Sequence, residues 1–160
     1  MPDTPSPAEV AQLLYRAQHM LANRFQLIRS DTSSWLVLFK DGGAFRIEWS
    51  EAWERLVLTG VLCTPGARNE RAALNLALSY NRLWRETGHL RMAREAASGA
   101  LTLIGEWDPV FDADADAGAL GAALLHFEGL RRRWGVALAG DADAETSEPE
   151  HFPGAPFERV

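Results

Sequence analysis

LNLALSYNRLWRETGHLRMAREAASGALTLIGEWDP, Leu74 to Pro109, holds the change of period that decides the fold. Its first part repeats at helical spacing. Ala73, Leu76, Ala77, Tyr80, Leu83 and Trp84 fall on one face, and Leu74 and Leu78 form a second apolar row. Asn69 is expected to cap this helix and Gly88 to stop it after about Glu86. The period then drops to two in HLRMARE, His89–Glu95. The small residues AASG make a turn, and ALTLIGEW, Ala100–Trp107, returns as an apolar strand that Asp108-Pro109 ends. The apolar sector of the helix is wider than a helix lying on one sheet requires. It is therefore expected to touch its own sheet and something else.

Toward the N-terminus, Ser6-Pro7-Ala8-Glu9 has the form of a capping box, with Ser6 as N-cap and Pro7 in the first turn. Val10, Leu13, Leu14, Ala17 and Leu21 then make one helical stripe that Asn23 closes. A β region follows. FQLIR adds a short extended piece, and SWLVLF, Ser34–Phe39, is a strand apolar on both faces. Asp41-Gly42-Gly43 is a hairpin signal, and AFRIEW alternates with Phe45, Ile47 and Trp49 on one side. After the turn SEAWE, RLVLTGVLC spans Arg55–Cys63, with Gly60 a candidate bulge. Toward the C-terminus, Asp112, Asp114 and Asp116 lead into a long helix striped by Leu120, Leu124, Phe127, Leu130, Trp134 and Leu138. The order α-β-β-β-α-β-β-α predicts an α+β domain with an antiparallel twisted sheet and helices packed on it. Residues 1–5 read as a flexible arm, 6–140 as a single domain, and 141–160 as an acidic, disordered tail.

Charge is uneven along the chain. The net formal charge is −6, but residues 141–160 hold six acids and one base, which is −5 of it. A body so close to neutral argues against broad nucleic-acid binding, which needs a basic face to displace counterions. Cys63 is the only cysteine, so no intrachain disulfide forms and a reducing compartment is expected. The start MPDTPSPAEV lacks a basic and an apolar region, and no apolar run reaches the ~20 residues of a membrane span. The expectation is a cytosolic protein.

The residues offer little chemistry. His19, His89, His126 and His151 show no ligand spacing, and Cys63 has no nearby base and reads as a buried structural thiol. DADADAGAL fails as a calcium loop: counted from Asp112, Gly118 comes one residue late and Ala123 stands where a bidentate Glu belongs. GLRRRWG reads as a solvated basic helix end. Glu48, Glu106 and Asp108 are the carboxylates that a small metal-dependent or acid/base enzyme would use, though no spacing brings them together. No catalytic residue, metal or cofactor is expected. What is left over is apolar surface, which fits either a well-filled core or a protein that binds chains.

With this element order, and with a helix ending near Leu83-Trp84 before a glycine, a strand, a small-residue turn and a strand stopped by proline, the chain resembles the class I type III secretion chaperones, the family of the Tir chaperone. The resemblance covers about residues 8–139. It implies a non-enzymatic homodimer in the bacterial cytoplasm. Such a dimer holds the N-terminal region of secreted effector proteins extended and delivers it to the secretion system's ATPase. The Ala- and Arg-rich composition suits a plant-associated Gram-negative bacterium, where one chaperone serves several effectors. Leu14, Leu21, Phe25, Leu36 and Leu38 are then the candidate effector contacts. Leu74, Leu78, Trp84, Leu90 and Met92 are the candidate dimer residues, with core packing the competing role for each. A same-fold adaptor that binds a transcription factor or an export component is the alternative.

Overall fold

The computed structural model describes residues 5–21, 24–109 and 115–140. The elements run α1 (Pro7–Met20), β1 (Phe25–Asp31), β2 (Ser34–Phe39), β3 (Ala44–Ser50), β4 (Arg55–Cys63), α2 (Glu70–Asn81), β5 (Arg91–Arg94), β6 (Leu101–Trp107) and α3 (Ala115–Ala139). The capping box forms: the Glu9 amide donates to Ser6 Oγ and the Ser6 amide to Glu9 Oε2. The expected helix end at Asn23, the aspartates at 112 and 114 and the tail from 141 lie outside the described residues.

All six strands form one antiparallel sheet in the order β1-β2-β3-β4-β6-β5. The extended piece expected at FQLIR is a full strand. Its alternation fades after Leu27 because the rest of this edge strand is exposed on both sides, which hid it from a periodicity reading. The Asp41-Gly42-Gly43 turn closes the β2–β3 hairpin, with Gly42 at φ +88° where a Cβ would be strained.

Register sorts the side chains onto two faces. Leu27, Val37 and Phe45 pair in line, as do Trp35, Ile47, Leu58 and Gly105, and Met92, Leu103 and Gly60. This first face is buried. α3 lies across it, with Phe127 edge-on to Phe45 at 4.8 Å and in contact with Gly60 and Gly105. Gly60 is therefore a point of close approach and not a bulge; the irregularity falls between Val61 and Cys63. α1 packs along α3 through Val10, Leu14 and Ala17. α2 sits at the β5 end and reaches α3 through Tyr80, whose ring meets Trp134 at 4.9 Å.

The second face carries a row that crosses the whole sheet: Ile28, Leu36, Arg46, Thr59, Ile104 and Arg91. Leu38, Val57 and Val61 join it, and the face is half-exposed to exposed. Strands that read as apolar on both faces thus have one face in the core and one partly open.

α2 ends at Asn81, five residues before the expected stop. Arg82–His89 is a run of turns with Gly88 and His89 both at positive φ. Asn69 stands at the N-cap position but makes no side-chain cap. Its amide instead donates to the Ala139 carbonyl at the end of α3. Leu76 and Leu83, expected on the inner stripe, are exposed; Ala73, Ala77 and Tyr80 hold the buried line.

Candidate functional site

Among the described residues, no three His, Cys, Asp or Glu side chains gather as a metal site. The carboxylates that an acid/base enzyme would use are tied to arginines. Glu48 pairs with Arg46, Asp108 with Arg55, and Glu106 with both Arg55 and Arg91. Burial pushes the Glu106 carboxyl up, but the bonds from Arg55 and Arg91 outweigh it and hold it below the ordinary range, the wrong direction for a general acid at neutral pH. Cys63 is half-buried, and burial raises its thiol pKa, which keeps it protonated and a poor nucleophile.

The basic turn of α3 is inward-looking. Glu128 is 4% exposed and takes Nε and Nη2 of Arg131 at 2.7 and 2.8 Å and Nε of Arg132 at 2.6 Å. Arg131 also donates to the Val61 carbonyl, and Arg132 pairs with Asp41 on the hairpin turn. Burial pushes the Glu128 carboxyl up, and its bonds to Arg131 and Arg132 bring it below the usual value. These arginines fasten α3 to the sheet and to the β2–β3 turn rather than forming a patch for nucleic acid.

Two open clefts meet at the end of β2. One, of about 500 Å³, is lined by Arg24, Phe39, Lys40, Asp41, Leu125, Glu128, Gly129 and Arg132. The other, of about 510 Å³, is lined by Gln18, Phe25, Gln26, Leu38, Phe39 and Lys40. Phe39 and Lys40 belong to both, so the two form one groove around the sheet's corner. Phe39 lies between the buried rings of Phe25, at 5.7 Å, and Phe45, at 5.8 Å. Arg24 and Lys40 stand exposed at its rim. Charged and amide side chains make up most of its lining, with Phe25, Leu38, Phe39 and Leu125 the apolar members, so it is an open surface of mixed polarity rather than an enclosed small-molecule pocket.

The two sheet edges are closed differently. At β5, the Asn81 carboxamide donates to the Met92 carbonyl at 2.9 Å and accepts from the Met92 amide at 2.7 Å, as a neighbouring strand would. At β1, Gln18 makes one bond, accepting from the Leu27 amide at 3.0 Å. β1 is the more open edge, and it borders the groove.

The expected contact residues separate. Leu14, Phe25 and Met92 are buried in the domain's own core, the competing role expected for each, and Phe25 also lines the second cleft. Leu38 lines the same cleft. Leu36 lies on the second sheet face, and Leu21 is half-buried against Gly121 of α3. Of the dimer set, Leu78 is 64% and Trp84 47% exposed. Leu74 is half-buried, and Leu90 turns inward over Gly105. Trp84 is held by His89 at 5.5 Å and by the Arg85 guanidinium over its ring. Sequence reasoning missed Gln18, Arg24, Phe39, Lys40 and Leu125. They come from five separate elements or turns, and only the short range of Phe39-Lys40 beside the Asp41-Gly42 turn carried a local signal.

Comparison with solved structures places the architecture. The chain superimposes on the ExsC–ExsE complex with TM-score 0.59 and 18% identity, covering 79% of this chain and 93% of that one. It superimposes on the HopA1–SchA chaperone–effector complex with TM-score 0.56 and 18% identity, covering 79% and 95%. The chain shares the fold of these two structures. A weaker likeness, TM-score 0.39 at 12% identity, is to the ExoU–SpcU complex of the type III secretion system of Pseudomonas aeruginosa, over 76% of this chain and 95% of that one. No protein-family model and no curated protein matches the sequence.

Proposed function

We propose that this chain is a cytosolic bacterial chaperone of type III secretion, without enzymatic activity. It binds the N-terminal segment of one or more secreted effectors, keeps it extended, and hands it to the export ATPase. The observation that carries this reading is the shared fold with a chaperone–effector complex, and the open basic-rimmed groove at Phe39 and Lys40 supports it. An extended client follows the groove with apolar side chains against Phe25, Leu38 and Phe39. It continues over Leu21 or over Leu36 and Ile28 on the second sheet face. Ordering such a chain costs several kcal/mol, so a wrap of ~1,000–3,000 Å² is needed for useful affinity.

The working unit is a homodimer. Leu78 and Trp84, with Leu74 beside them, supply exposed apolar surface on α2 and its following turn. Leu90 and Met92 contribute by holding β5 in place. Deleting the gene in the source bacterium tests the function: one or more secreted proteins are expected to disappear from the culture supernatant while their transcripts persist. Restoring the gene with Leu38→Asp and Phe39→Asp should fail to restore them. An unchanged supernatant sinks the proposal.

A further inference from the structure

Phe25 and Phe39 are the last paired residues of β1 and β2 at the groove end of the sheet. Arg24 precedes the one and Lys40 follows the other. The antiparallel register therefore carries these two bases outward on opposite strands, where directly opposed residues have Cα atoms only about 4.5–5.5 Å apart. Both side chains are exposed, and both line the cleft against α3. Like charges opposed across two strands destabilise the pairing. Elsewhere on the sheet arginines meet acids: Arg46 pairs with Glu48, and Arg55 and Arg91 with Glu106. Among the described residues no acid pairs with Arg24 or Lys40. The acids of the cleft, Asp41 and Glu128, are taken by Arg132, and Glu128 also by Arg131. The corner of the sheet thus holds two uncompensated positive charges side by side.

One carboxylate satisfies both. Arg24 offers a planar fork that takes two oxygens, and Lys40 a point charge. The neighbouring side chains say which carboxylate fits. Phe39 and Lys40 belong to both clefts, with Leu125 beyond them in one and Leu38 in the other. In an extended chain, residues i and i+2 point the same way, about 6.6–6.8 Å apart. An acid over Arg24 and Lys40 then carries residues two positions away on either side, one against Phe39 and Leu125 and one against Leu38. Apolar side chains suit both places. Two bases are too few for a nucleic-acid backbone, which is held by a run of cations.

We propose that Arg24 and Lys40 form a carboxylate-binding site that selects client segments of the pattern apolar-x-acid-x-apolar. The proposal rests on reading the groove as the client surface and adds the chemistry of the segment bound there. Chains without an acid at the central place gain only the apolar contacts and leave the two cations opposed. Chains with a base there are repelled. The pair thus discriminates among unfolded segments that apolar contact alone would not tell apart.

The test pans a random peptide library displayed on phage against the purified full chain and against two variants, Arg24→Gln with Lys40→Gln and Arg24→Glu with Lys40→Glu. Both side chains are exposed, and the neutral variant adds no charge, so it remains informative if the reversed one fails to fold. The unaltered chain is expected to enrich peptides with Asp or Glu two positions from an apolar residue on each side. The neutral variant should lose this enrichment, and the reversed variant should enrich Lys or Arg in the same place. A labelled peptide selected by the unaltered chain should bind the neutral variant roughly 3- to 20-fold more weakly in fluorescence anisotropy, as the loss of two exposed ion contacts implies. Its affinity for the unaltered chain should fall as salt is raised to about 0.5 M. No acid preference, the same preference in all three proteins, or no peptide selected overturns the proposal. A labelled single-stranded oligonucleotide that binds through the pair while acidic peptides do not would assign it to phosphate and overturns the proposal too. If the deletion strain loses secreted proteins and selection shows no acid preference, the carboxylate site falls and the chaperone reading stands. If acid-bearing peptides are selected as expected and secretion is unchanged, the chaperone reading falls alone.

Discussion

Asn81 shows how one side chain can end a sheet. Its carboxamide completes the outward-facing amide and carbonyl of Met92 with bonds of 2.7 and 2.9 Å, so β5 presents no free pair there. Replacing it by alanine leaves both groups half-buried and unpaired, at a cost of about 1–3 kcal/mol. Asn81→Ala is therefore expected to lower the unfolding free energy by that amount, seen as a lower urea midpoint, and to raise concentration-dependent association, because an open edge invites pairing. A midpoint unchanged within error would show that water replaces the clamp without loss. Neither Asn81 nor Gln18 was legible in the sequence. Each looks like an ordinary polar residue near a helix end, and its role depends on a strand that tertiary packing brings alongside.

At the scale of elements, α3 is set by contacts that oppose its own propensities. Gly135 lies inside the helix, where alanine is ordinarily better by about 1 kcal/mol. A Cβ there would come 2.8 Å from the Leu62 carbonyl oxygen, a backbone atom of β4 that cannot step aside. The clash wins, and Gly135→Ala should destabilise the fold by about 1–3 kcal/mol in denaturant unfolding; a gain in stability would mean that α3 does not sit this close to β4. The Glu128 carboxylate fastens the same helix. Its pKa is held below the ordinary value because the arginine bonds outweigh burial. Its contribution is therefore fully present above the unfolded-state pKa of about 4.3 and is lost as pH falls through the lower folded-state value. Glu128→Gln should remove that part of the acid dependence, seen as a flatter fall in stability below about pH 4.3 in urea titrations at stepped pH. If the variant follows the same acid curve as the unaltered chain, the Arg131–Glu128–Arg132 cluster is not what holds α3.

Much at this scale could be read from the sequence, and the failures are specific. The capping box, the Asp41-Gly42-Gly43 hairpin and the period change in residues 74–109 are local signals, and local physics fixed the outcome. α2 was read too long because Leu83 and Trp84 continue its apolar spacing. In the fold they belong to a turn secured by Trp84, His89 and the Thr87 hydroxyl. β1 was read too short because an edge strand loses its alternation where both sides are exposed. The groove was legible only in part, through Phe25 and Leu38. Arg24, Phe39, Lys40 and Leu125 converge only after α1, β2 and α3 pack, and no spacing along the chain records that.

For the whole molecule, the fold leaves three surfaces incomplete: the groove, the second sheet face, and the exposed Leu78 and Trp84. Assembly as a homodimer through the last of these predicts that Leu78→Glu with Trp84→Glu yields a monomer in sedimentation velocity while the far-UV spectrum is kept, since both side chains are exposed. A species of unchanged mass would move the dimer surface elsewhere. The central claim, that this chain holds secreted proteins by their N-terminal segments, is tested most directly by purifying it natively from the source bacterium under secretion-inducing conditions and identifying what is bound. The account predicts secreted proteins whose capture is lost when their N-terminal segments are removed and which weaken with Leu38→Asp and Phe39→Asp. Recovery of cytosolic regulators alone, or capture indifferent to those N-terminal segments, would contradict it.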